Sequence, residues 1–293
     1  MLAAEIHKKI SHSYPPHQRM EDVLTSSILS LFRYLNILSL PTEFLNHAVN
    51  IKGGTLGIKE FAWADVYFWP KFRLATGAAV YREPDVVLYC CEKESRDKWM
   101  VVIEAKYDAQ LSNIRTKEED EPEESDKECY GHQLADQFCG SLCGIWDIPN
   151  EECLKSDRTI LLYITPNYEP PLVDMKEAVE NICARKCSNA RKKCGPSAEG
   201  DIYWVSWRAL DRVIRSYSTS DFAVYTNAEL HLIEDIGKLL EVRGLQVFEP
   251  FKKLLAVERY DCSVKPVPRK ENVLWSRLHD VGSYPPGDGI KED

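Results

Sequence analysis

The sequence predicts an α/β fold, a mixed central β-sheet flanked by helices, in one domain spanning residues 1–258. Two observations carry that prediction. Short runs rich in β-branched and aromatic residues recur at 86–89, 99–103, 159–164 and 202–207, each of buried-strand length. Segments with apolar residues at helical spacing stand around and between them, so strands and helices alternate after the first pair. The first two runs are joined by a charged turn at 92–98 and read as an antiparallel hairpin.

Taken in order, Met20, Leu24, Ile28, Leu31, Leu35 and Leu38 give a helical stripe over 17–38, with Pro41 as the expected stop. Glu21 falls on the edge of that stripe. A carboxylate there is either partnered or a ligand; the alternative is an acid that complements the helix dipole. Residues 42–59 read as irregular and end in a glycine-rich turn at 52–57. That turn lacks the order of a phosphate-binding loop, because its lysine precedes the glycines. The aromatic stretch 61–74 makes one or two strands interrupted at Pro70. A helix is expected over 130–146, with Leu134, Phe138, Leu142, Ile145 and Trp146 buried. Gln133 and Gln137 lie on an adjoining face with Gly140 and Gly144, where glycine permits close backbone approach. Helices at 172–186, 208–217 and 230–242 complete the pattern, and 259–293 reads as an extended, proline- and charge-rich tail.

Composition sets the outer limits. With 293 residues, 44% hydrophobic and 28% charged, the chain can bury a large core. It has no apolar run of membrane-spanning length, and 1–10 is charged rather than signal-like. Ten cysteines in a chain this long fit a reducing, cytoplasmic setting. The net charge of −9 is concentrated: residues 117–128 hold eight acids and two lysines, leaving only −3 for the other 281 residues. That block is expected to be a solvated loop, or an acidic flap over a site.

The hairpin brings chemistry together. With its turn near Ser95, Asp85 falls opposite Glu104. Strand alternation puts Glu104 and Lys106 on one face and Ala105 on the other. Paired carboxylates suit Mg²⁺, which can activate water and neutralise a leaving oxygen. An adjacent lysine can position the water or stabilise the transition state. A surface ion pair at a hairpin end is the plainer alternative.

Pro84-Asp85 followed nineteen residues later by Glu104-Ala105-Lys106 resembles the PD-(D/E)xK motif of restriction-endonuclease-like nucleases. The resemblance is motif-level over about 21–140. It implies that fold, a Mg²⁺ site (Mn²⁺ as an alternative) formed by Asp85, Glu104 and a helix acid matched by Glu21, and a catalytic Lys106. Gln133 matches the glutamine that often lines the site in this family, with a surface amide as the alternative; Gln137 stands where some relatives carry tyrosine. The implied activity is cleavage of DNA phosphodiesters, as an endonuclease working in a restriction or anti-phage assembly. A catalytically silent scaffold is the competing class.

Two basic groups are candidate phosphate seats: Arg185, Lys186, Arg191, Lys192 and Lys193 in a linker, and Arg208, Arg212 and Arg215 on one helical face. DNA is the expected partner, with an activating protein or homo-oligomer and no membrane. Cys183, Cys187, Cys194 and Cys153 lack a Cys-x-x-Cys pair and read as structural thiols rather than ligands of zinc or an iron–sulfur cluster.

Overall fold

The computed structural model describes residues 16–73, 81–107, 132–143, 145–147, 156–184 and 198–247. The acidic block 117–128, the linker cations at 185–193, the domain boundary expected near 258 and the tail lie outside them. Helices α1 (Pro16–Leu29), α2 (Leu31–Tyr34) and α3 (Ser39–Asn46) lead to strand β1 (Val49–Asn50). Strands β2 (Phe61–Phe68), β3 (Lys71–Arg73), β4 (Tyr81–Arg82), β5 (Val86–Glu92) and β6 (Lys98–Ala105) follow. Next come α4 (Gln133–Cys143), β7 (Ile145–Asp147), β8 (Arg158–Thr165), α5 (Leu172–Ala184), α6 (Ala198–Asp201) and β9 (Ile202–Ser206). Helices α7 (Trp207–Ser216), α8 (Thr219–Phe222) and α9 (Asn227–Val242) complete the described order.

The expected mixed sheet is present, with six strands in the order β1-β9-β8-β6-β5-β2. The pairs β2–β5, β5–β6 and β1–β9 are antiparallel, while β6–β8 and β8–β9 are parallel. The central strands are buried on both faces, which is why they read as unbroken apolar runs rather than as alternation. Along β6, Trp99, Val101, Ile103 and Ala105 point into a core shared with α1, α2, α3, α7 and α9. Met100 and Val102 point the other way, into a core shared with α4, α5 and Phe72. Helices therefore cover both faces.

Several boundaries differ from expectation. The first stripe is broken into α1 and α2, and Pro41 lies inside a new helix, α3. There its fixed φ and missing N–H cost nothing, because first-turn donors have no intrahelical partner. The helix expected to reach residue 146 ends at Cys143, and Ile145–Asp147 forms β7 instead. That strand pairs with β3 in a second, three-stranded sheet of order β4-β3-β7. The corner between the two sheets is Trp69, whose φ of +47° is unusual for a bulky residue. Its N–H donates to Asp85 O at 2.9 Å, so the corner lies beside the motif aspartate.

The small sheet grips α4. A Cβ placed on Gly140 would lie 1.7 Å from Phe72 Cε2, so only glycine allows the helix this close. One turn earlier, Arg82 donates from Nε and Nη2 to Asp136 Oδ2 at 2.9 and 2.7 Å.

Candidate active site

The pairing register puts Val86 opposite Ile103, so the next residues along, Asp85 and Glu104, are neighbours at the strand ends. Asp85 is locked there by its own side chain: Ala105 N donates to Asp85 Oδ2 at 2.8 Å. Glu104 is 1% exposed and projects toward α4. Gln133 Nε2 donates to its Oε1 at 2.5 Å, and Gln137 Nε2 donates to its Oε2. The i, i+4 spacing puts both amides on one helix face, one per carboxylate oxygen.

Lys106 continues the ladder past β6, donating its backbone N–H to Ile164 O at 2.8 Å. Its ammonium lies 2.6 Å from Glu104 Oε1 and 3.4 Å from Glu21 Oε1. Glu21, on α1, also accepts from Tyr107 N at 2.9 Å. Lys106 thus ties the helix on one side of the sheet to the carboxylate clamped from the other. Asp85, Glu104, Lys106, Gln133 and Glu21 are all brought to one locus. Gln137, which the sequence places on one helix face with Gln133 and otherwise marks as a departure from a tyrosine, belongs with them; its spacing from Gln133 is the available signal.

Three carboxylates share one ammonium in a space largely withdrawn from water. Burial, reinforced by Glu104, raises the Asp85 carboxyl well above its ordinary value against the pull of Lys106 and the Ala105 N–H. Burial likewise raises Glu21, against Lys106 and the Tyr107 N–H. Burial works against the charge on Lys106, but Glu104, Asp85 and Glu21 together outweigh it and push the ammonium above the ordinary lysine range. Lys106 is therefore a fixed cation at neutral pH.

These directions set a pH dependence. Carboxyls whose pKa is raised by folding take up protons on folding, so they subtract stability as pH rises from the ordinary carboxylate range through the raised values. Lys106 has the opposite history: its contribution is complete through neutral pH and is lost only above the ordinary lysine range. In metal-free protein, Asp85→Asn should therefore gain stability relative to wild type as pH rises from about 4. Urea midpoints across pH would measure this, and a constant difference between the two proteins would refute it.

The donor set suits a hard divalent cation, being all carboxylate oxygen with negative charge in excess. Asp85 Oδ1 accepts no hydrogen bond from the described residues. Among the described residues, no group of three acids, histidines or cysteines is arranged as it stands to hold an ion. Glu104 and Glu21 are turned to Lys106, Tyr107 N and the glutamines.

The basic residues of α7 divide. Arg208 donates to Pro166 O at 3.0 Å, Gly244 O at 2.7 Å and Gln246 O at 2.8 Å, so much of its guanidinium is committed to backbone carbonyls. Arg215 pairs with Asp211 one turn back on α7 at 2.8 Å. Arg212 is exposed. The three therefore do not form one free cationic face. Cys90, Cys91 and Cys183 are free thiols; Cys153, Cys187 and Cys194 lie outside the described residues. No described helix is long and apolar enough to cross a membrane. Set against protein-family models, curated proteins and solved structures, the chain matches none.

Proposed function

We propose that the protein is a metal-dependent nuclease of restriction-endonuclease-like fold. It would hydrolyse DNA phosphodiester bonds as an endonuclease effector of a restriction or anti-phage assembly. The observation that supports this reading best is the convergence of Asp85, Glu104, Glu21 and Lys106 at one end of the central hairpin, with a desolvated excess of carboxylate over cation.

Asp85, Glu104 and Glu21 would hold Mg²⁺ or Mn²⁺. The ion would supply charge neutralisation at the phosphate and a more acidic water. The chain's own residues supply the rest. Gln133 and Gln137 fix the direction of Glu104 and satisfy its buried oxygens, so in this reading Gln133 acts on the carboxylate rather than on water. Asp85 is preset by the Ala105 N–H. Lys106, held protonated, is a hydrogen-bond donor and not a base; it can orient the incoming water or stabilise charge on a phosphate oxygen.

The test is cleavage of plasmid, single-stranded DNA and RNA by wild type and Asp85→Ala, with Mg²⁺, Mn²⁺ or chelator. Wild type should cut only with metal, and Asp85→Ala should be slower by about a hundredfold or more. Activity that survives in Asp85→Ala would move the chemistry elsewhere. The scaffold reading draws on the fact that both Glu104 oxygens already have partners. A folded wild type that cleaves none of the substrates would favour it.

A further inference from the structure

Two arginine–tyrosine pairs stand at the same end of the sheet as the carboxylates, and the catalytic proposal uses neither. Parallel strands β6 and β8 deliver them: Tyr107 lies just past the end of β6 and Tyr168 just past the end of β8. The Arg208 guanidinium lies 4.3 Å from the centre of the Tyr168 ring, and that of Arg243 lies 5.8 Å from the Tyr107 ring.

A circuit of hydrogen bonds links both pairs to the site. Trp207 Nε1 donates to Lys106 O at 3.1 Å, and the adjacent Arg208 reaches Pro166, Gly244 and Gln246. Tyr107 OH donates to Arg243 O at 2.9 Å, while Tyr107 N donates to Glu21. The segment following α9 is thereby stitched between the two tyrosines.

Each pair has something left to offer. Tyr168 is 66% exposed although an arginine lies over its ring, so much of the ring meets solvent. Leu172 and Val173, at the start of α5, are exposed as well. Arg243 is half-buried and has no carboxylate partner among the described residues. A permanently charged donor in that position lacks an anion.

We infer that this end of the sheet is a track for an unpaired nucleic-acid strand. Arg243 receives a backbone phosphate beside the carboxylate cluster, and Tyr168, steadied by Arg208, stacks one base. Bases inside a duplex have their faces covered by neighbours and cannot use such a platform; an unpaired strand or a frayed end can. The inference rests on the nuclease reading for its choice of ligand and narrows the substrate to single strands or unpaired ends.

The experiment measures binding without cleavage, using fluorescence anisotropy of a short labelled single strand and of the matching duplex, in chelator, over a range of salt. Tyr168→Ala should weaken single-strand binding by about tenfold and leave duplex binding unchanged, while Tyr168→Phe binds as wild type. Arg243→Gln should weaken both ligands and reduce the single-strand salt slope by about 0.7, the share of one phosphate. Unchanged single-strand affinity in Tyr168→Ala, or a wild type that binds neither ligand, would overturn the track. Tyr168-dependent binding with no cleavage would uphold the track and retire the nuclease. Metal-dependent cleavage with Tyr168→Ala binding unchanged would do the reverse.

Discussion

Lys106→Met should lower the stability of the metal-free protein by about 3–5 kcal/mol at neutral pH, the usual cost of stranding a buried charge by removing its partner. The side chain is 12% exposed, and Glu104, its closest partner at 2.6 Å, is 1% exposed. Methionine fills similar space, so the loss would report charge rather than volume. Two further carboxylates, Asp85 and Glu21, feel the same ammonium. Urea unfolding in chelator is the direct measurement. Glu104→Gln combined with Lys106→Met should recover part of the loss, because it removes the stranded charge as well. Mg²⁺ should also recover part of it if the carboxylates take the ion only when folded. A loss below about 1 kcal/mol, the scale of a surface pair, would mean that Lys106 does not hold the cluster together.

Gly140→Ala should destabilise by about 2–3 kcal/mol. The sign is the informative part, since alanine in an ordinary helix interior gains up to about 1 kcal/mol over glycine. Here the new methyl group would meet the Phe72 ring at 1.7 Å, and Phe72 is completely buried between α4 and the small sheet. Relief requires α4 to move outward, and α4 carries both glutamines that hold Glu104. Under the nuclease proposal, cleavage should therefore fall along with stability. Phe72→Leu in the same chain should restore much of both, measured as thermal midpoint and cleavage rate. A stabilised Gly140→Ala would show that the contact is relieved without moving the helix.

The parts of this architecture that the sequence made legible are those set by local period. The hairpin could be read from two apolar runs and one charged turn, and its register then put Asp85 beside Glu104 without further information. Glu21 could be found because helical spacing marked it as the edge of a buried stripe. The second sheet could not be found this way. Its strands are two or three residues long, and β7 pairs with β3 across more than seventy residues, so Ile145 and Trp146 fitted a helical stripe equally well. The surroundings of Arg208 are hidden for a related reason: charge and spacing suggest an open face, whereas its carbonyl partners come from two distant loops. Tertiary partners of this kind leave no local trace.

The groups at the site are joined across very different lengths of chain. The Asp85–Ala105 bond spans 20 residues, Glu104–Gln133 spans 29, and Glu21–Tyr107 spans 86. Closure entropy grows with the length of chain enclosed, so the hairpin clamp forms most readily and the docking of α1 carries the largest penalty. By this measure the acid contributed from the far side of the sheet carries the largest closure cost of the three, so the third carboxylate depends on the packing that holds α1 in place.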